Sequence, residues 1–347
     1  MLMTEHGRPR AALAAHAAAA AALLLAACSG PAAPRSAAHA QPTTSTAGTS
    51  GRIFKEMVLG VATTGQLFLI NPGTGTRTTD VFMDRAGATG EEVSVTADNS
   101  TIYYEQPYGC TDRIYSMPSV GGNGPARVTD GRLPAVSPDG SLLAYTRQPQ
   151  HCAQGGLPYV LVVRNLRTGA ETTYPVGPQL GQTGLLFPID HLSWAADSRR
   201  LLLSLEAPED DFGWALAVLD TRTARYYRTD APGEHVPVAP NGDARGYYRE
   251  GVFMPDGNLF VNRVCCEGIT PGGPRVASTL MWEVTTSGTK IHQVAIGFTD
   301  RDHTSLAVDA SGQELLYLSG TDLYVSDGGR MPRLVTGGLT AAAWITI

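Results

Sequence analysis

The chain has 347 residues, a formal net charge of −6 and 43% hydrophobic against 17% charged residues. That balance supplies a folded core but no basic footprint, so nucleic acid is excluded as a partner, because phosphate binding needs clustered Lys and Arg. Lys55 and Lys290 are the only lysines, and this arginine bias, with the alanine content, is that of a high-GC genome such as an actinobacterium.

Arg8 and Arg10 precede an Ala/Leu run from Ala11 to Ala27. The run has the length of a signal-peptide apolar region and is too short to span a bilayer stably. It ends in Leu25-Ala26-Ala27-Cys28, which resembles a bacterial lipobox. The sequence therefore predicts a lipoprotein signal peptide over 1–27 and a lipidated, palmitate-bearing Cys28; the alternative is a cleaved signal peptide with an incidental cysteine. Ser29 to Arg52 is rich in Ser, Thr, Ala, Pro and Gly without periodicity. It reads as a flexible tether (28–52) holding a domain (53–347) off the outer face of the cell membrane.

From there one phrase recurs: an apolar strand, a tight turn and a second apolar strand. Its copies are Glu92 to Glu105 (EVSVTADNSTIYYE), Leu133 to Arg147 (LPAVSPDGSLLAYTR), His191 to Leu205 (HLSWAADSRRLLLSL), Gly251 to Val264 (GVFMPDGNLFVNRV) and Ser305 to Ser319 (SLAVDASGQELLYLS). Self-similarity at this spacing, with alternating apolar positions and short polar turns, marks the four-stranded blades of a propeller. Further strands follow each copy, as at Tyr159 to Asn165, Ala215 to Asp220, Leu280 to Thr285 and Leu323 to Ser326. Two fragments remain. Leu339 to Ile347 has the character of an innermost strand with nothing after it, and Met57 to Val81 supplies three outer strands with no inner one before them. Joining them gives an all-β, six-bladed propeller whose last blade is shared by both termini, with seven blades as the alternative; closure removes the exposed sheet edges.

Ser137-Pro138-Asp139-Gly140 followed by LLAYTR, together with Met254-Pro255-Asp256-Gly257, resembles the repeats of TolB-like propellers (PD40, or WD40-like, repeats). Elsewhere the turn departs from that pattern, at Thr96-Ala97-Asp98-Asn99, Ala195-Ala196-Asp197-Ser198 and Asp309-Ala310-Ser311-Gly312. The resemblance implies a propeller over residues 55–347 and structural turn residues, with Asp capping the turn and Gly or Asn taking a positive φ. It carries over no catalytic residue. TolB has an additional α/β domain, for which the tether leaves no room.

Propeller loops divide between two faces, and nearly all extra length falls on the one formed by the connections from second to third strand and from blade to blade. In repeat proteins the face with insertions is often the binding face. Entering the inner strands there are Glu92, Arg132, Asp190, His191, Arg249, Glu250, Asp302 and His303, a ring of mixed charge and the candidate binding residues. His beside carboxylates on two blades could ligate a metal. Yet His303 stands further from its turn than His191, and such pairs read as solvated surface, so neither metal nor cofactor is assigned.

Cys110, Cys152, Cys265 and Cys266 lie in the same class of loop, and an even number in an exported chain favours disulfides. Cys110 with Cys152 and Cys265 with Cys266 is the preferred pattern, since other pairings would reach across the channel mouth. Free thiols remain the alternative. The sequence thus reads as a monomeric, membrane-anchored module binding an envelope protein, peptide or glycan. A propeller enzyme (metal-dependent hydrolase, lactonase or lyase, with His191 or His303 as general base) is the second reading. Replacing Cys28 with Ala should release the protein from membranes or block its maturation; unchanged membrane retention on cell fractionation would remove the lipoprotein assignment.

Overall fold

The computed structural model describes residues 56–78, 92–109, 111–119, 124–147, 160–174, 189–206, 214–228, 247–265, 278–286, 290–296, 303–327 and 332–346. These form 24 strands and, among the described residues, no helix. β1 (Glu56–Ala62), β2 (Leu67–Ile70) and β3 (Arg77–Thr78) open the chain. Blade one is β4 (Val93–Val95), β5 (Thr101–Tyr108), β6 (Thr111–Pro118) and β7 (Ala126–Asp130). Blade two is β8 (Arg132–Val136), β9 (Leu142–Arg147), β10 (Val160–Asn165) and β11 (Glu171–Tyr174). Blade three is β12 (Ile189–Trp194), β13 (Arg200–Glu206), β14 (Trp214–Asp220) and β15 (Arg225–Arg228). Blade four is β16 (Tyr247–Phe253), β17 (Leu259–Cys265), β18 (Ser278–Val284) and β19 (Lys290–Ile296). Blade five is β20 (His303–Val308), β21 (Glu314–Ser319), β22 (Asp322–Asp327) and β23 (Arg333–Thr336), and β24 (Leu339–Thr346) ends the chain.

Each blade is a four-stranded antiparallel sheet, and the sixth has the order β24-β1-β2-β3. The two fragments left over by the repeat count therefore join. Val58 pairs with Trp344, Gly60 with Ala342 and Glu56 with Thr346. Six blades form the ring, and the seven-bladed alternative falls away.

The core consists of six wedges, one between each pair of neighbouring blades. A strand packed on both faces must be apolar throughout, which explains the run Leu201-Leu202-Leu203. Leu201, Leu203 and Leu205 enter the wedge with blade two, while Leu202 enters the wedge with blade four. β24 contributes to two wedges at once: Ala341 and Ile345 face blade one, Leu339 and Ala342 face blade five.

The inner turns obey local chemistry. The Asp139 carboxylate accepts the Ser141 N–H at 3.0 Å, Asp98 that of Ser100 at 3.0 Å and Asp256 that of Asn258 at 2.8 Å. Gly140 and Gly257 take φ of 69° and 87°, as turns of this kind require. Blade five moves its Asp to the first turn position, where Asp309 accepts the N–H groups of Gln313 and Glu314, both at 2.7 Å.

β5 runs on to Tyr108, which pairs with Thr111, whereas β9 ends at Arg147. Gln106 thus lies inside a strand. Cys110, Cys152 and Cys266 lie outside the described residues; Cys265 ends β17, opposite Ser278. Deleting residues 340–347 should open the ring and lower unfolding stability by at least about 3 kcal/mol, the scale of one large core truncation. An unaltered denaturation midpoint would refute the shared blade.

Candidate functional site

The inner strands line the channel, and one rung of them carries charge. Glu92, His191 and Glu250 each stand four positions before the first residue of their turn, Thr96, Ala195 and Met254. β12 has a register shift between Ile189 and His191, and β16 has one between Tyr248 and Glu250. Each bulge inserts one extra residue, Asp190 or Arg249, and re-aims the side chain that follows.

Three blades thereby bring three ionisable groups together. His191 Nδ1 lies 2.6 Å from Glu92 Oε1 and 3.9 Å from Glu250 Oε1. The His191, Glu92 and Glu250 side chains are only 8%, 12% and 6% exposed. Burial alone would favour a neutral imidazole, but the field and hydrogen bond of Glu92, with the charges of Glu250 and Asp190, outweigh it and push His191 up to about 9. His191 is therefore an imidazolium at neutral pH, with Nδ1 donating to Glu92.

The surrounding backbone is tied between blades. Glu250 Oε1 accepts the Leu306 N–H of blade five at 3.3 Å, and Glu105 Oε2 accepts the Leu133 N–H of blade two at 2.8 Å. Ser94 Oγ accepts the N–H of Val136 at 2.9 Å, Ser193 Oγ that of Phe253 at 3.1 Å, and Ser305 Oγ that of Ala342 at 3.1 Å. Trp194 Nε1 donates to the Ala135 carbonyl at 2.9 Å. A cavity of about 230 Å³ follows the inner strands from Glu92 and His191 toward the inner turns, where Pro138, Trp194, Val308 and Trp344 line it.

Of the predicted ring, the described side chains divide into those that meet on the axis and those that do not. Glu92, His191 and Glu250 meet there, and His191 is buried where solvated surface was expected. Asp190 is half-buried and acts on His191 through its charge. Arg132 turns to blade one, its Nε 3.2 Å from Asp112 Oδ2. Arg249 and His303 lie within β16 and β20, but their side chains, like Asp302, fall outside what is described. Among the described residues no group of three or more His, Cys, Asp or Glu has the arrangement of a metal site. The shared offset of three ionisable residues from their turns was present in the sequence; their convergence across the axis was not.

The described residues thus define a six-bladed β-propeller. No protein-family model matches the chain, and no curated protein does. Among solved structures it is similar to TolB from Acinetobacter baumannii, with a TM-score of 0.54 at 14% identity, covering 83% of this chain and 66% of that one. It thus spans about two thirds of the length of that TolB. A putative 6-phosphogluconolactonase from Bacteroides fragilis is similar with a TM-score of 0.50 at 13% identity, covering 86% of this chain and 100% of that one. A nidogen–laminin complex gives 0.54 at 10% identity over 83% and 98% of the two chains. At such identities the likeness is one of fold.

Removing one member of a buried charge bridge leaves the others uncompensated, at about 3–5 kcal/mol. His191→Gln should lose stability on that scale in chemical denaturation at pH 7. Because the folded value is raised above the ordinary 6.5, the bridge's contribution is fully present below 6.5 and is lost as pH rises through about 9. Wild-type stability should fall over that window and the variant's should fall less; parallel pH profiles would show that the bridge contributes nothing.

Proposed function

We propose that this chain is a lipid-anchored, extracytoplasmic propeller that captures an envelope protein, peptide or glycan on its long-loop face. The observation that carries this is the one-sided distribution of chain length. The strand limits assign residues 148–159, 207–213 and 266–277 to connections between second and third strands, and 79–92, 175–188 and 229–246 to connections between blades. On the opposite face the connections are mostly short, as at 71–76, 137–141, 166–170 and 221–224. Long loops on one side of a rigid ring suit recognition, since the scaffold fixes their roots while their sequence varies. The nidogen–laminin structure, to which the fold is similar, is that of a protein–protein complex.

The state of His191 weighs against the catalytic reading at that residue. A general base must have a free lone pair near neutral pH. His191 carries its proton there, held by Glu92 and Glu250. Similarity of fold to a putative lactonase supplies no residue that changes this.

The test is capture from native envelope with the tethered domain as bait. Asp190→Ala combined with Asp302→Ala and His303→Ala should reduce capture severalfold while the melting midpoint stays close to wild type. Arg167→Ala with Arg222→Ala, exposed on the short-turn face, should leave capture unchanged. The opposite pattern would move the binding face to the short-turn side.

A further inference from the structure

We propose that Tyr108, Arg113 and Arg127 of blade one form a ledge on the long-loop face that grips an acidic peptide segment, its carboxylate on the guanidinium groups and an apolar side chain on the tyrosine ring. This rests on the reading of that face as the capture surface and adds the chemistry of what is captured. β5 and β6 pair without a break from Thr101 with Pro118 up to Tyr108 with Thr111. Alternate residues of a strand share a face, so Tyr104, Gln106 and Tyr108 stand beside Tyr115, Arg113 and Thr111 on one side of the hairpin. β7 extends that side, setting Arg127 opposite Tyr115 and Asp130 opposite Arg113.

From the core outward these side chains stack. Tyr104 is fully buried, and its ring lies 5.9 Å from that of Tyr115 and 18° from parallel. Further out, Arg113 Cζ stands 3.2 Å from the centre of the Tyr108 ring. Tyr108 ends the stack and is 56% exposed. A tyrosine already braced by a guanidinium has little freedom left to lose on binding, which favours affinity. The charges are unequal. Asp130 Oδ1 lies 2.7 Å from Arg127 Nη2 and 3.8 Å from Arg113 Nε, the second too long for a hydrogen bond. Two cations on one anion leave these three side chains with a positive surplus, on a chain whose net charge is −6. The planar fork of arginine takes a carboxylate through two parallel hydrogen bonds. Tyr and Arg are also the residue types in which protein interfaces concentrate their binding energy. An open sheet face suits a polypeptide better than a small ligand, which needs a concave site.

The probe is a copolymer of glutamate and tyrosine, offered at low salt to the full chain on a biosensor, with a lysine–tyrosine copolymer and polygalacturonate beside it. The glutamate–tyrosine copolymer should bind at least severalfold more tightly than either. Polygalacturonate binding more tightly would make the ledge a glycan site and overturn the peptide reading. Arg127→Gln and Tyr108→Ala should each weaken the copolymer severalfold, whereas Tyr108→Phe should keep it. Asp130→Asn should tighten binding severalfold, because it releases both guanidinium groups from their internal carboxylate; a residue that merely braced the hairpin would weaken it. Tyr108 and Arg127 are exposed and Asp130 partly so, and circular dichroism should show each variant folded as wild type. The proposal is overturned by absence of copolymer binding, or by binding that neither Arg127→Gln nor Asp130→Asn alters. Because the probe is synthetic, such a failure leaves capture of a native partner by the long loops to its own experiment.

Discussion

Every other feature of this protein depends on the pairing of its last strand with its first. A blade of four strands is apolar on both faces and cannot stand alone, so each must be covered on either side. Five blades in sequence would leave two bare faces. β24, laid against β1, completes the sixth sheet and fills both remaining wedges with Leu339, Ala341, Ala342 and Ile345. The chain thus uses its ends to satisfy its middle, and the edge of β1 that would otherwise stand unpaired is covered by β24.

Closure also creates the axis, and the axis creates the site. Six inner strands converge with their first residues near one another, so side chains far apart in sequence become neighbours. Glu92 and His191 are 99 positions apart and share a hydrogen bond. The bridge they make with Glu250 is not an efficient source of stability, because desolvating three ionisable groups offsets much of their attraction. What it supplies is a charge-dependent contact between blades that otherwise touch only their neighbours. The serines behave differently: Ser94, Ser193 and Ser305 accept backbone N–H groups from the next blade and hold the ring in register without charge.

The fold was largely legible before any coordinates. The turn phrases around Asp98, Asp139, Asp197 and Asp256 mark where inner strands end, because only a few residue types supply both a cap and a positive φ. Double-faced burial makes strands such as β13 unmistakable runs of leucine. The site was legible only as a set of candidates. Nothing local separates His191, which a bulge turns into a buried bridge, from Arg132, which reaches outward to Asp112. Both sit at the entrance of an inner strand in equivalent repeats.

By itself the sequence determined the repeating blade, the position of the inner turns and the joining of the termini, because each follows from short-range patterns of apolar alternation and turn chemistry. Only the tertiary structure decided which charged residues meet and which protonation state they hold. The reason is that a histidine's proton responds to burial and to charges a few ångströms away in space, whatever their distance along the chain. His191 takes its charge from Glu92 and Glu250, two residues that closure of the ring alone brings to its side.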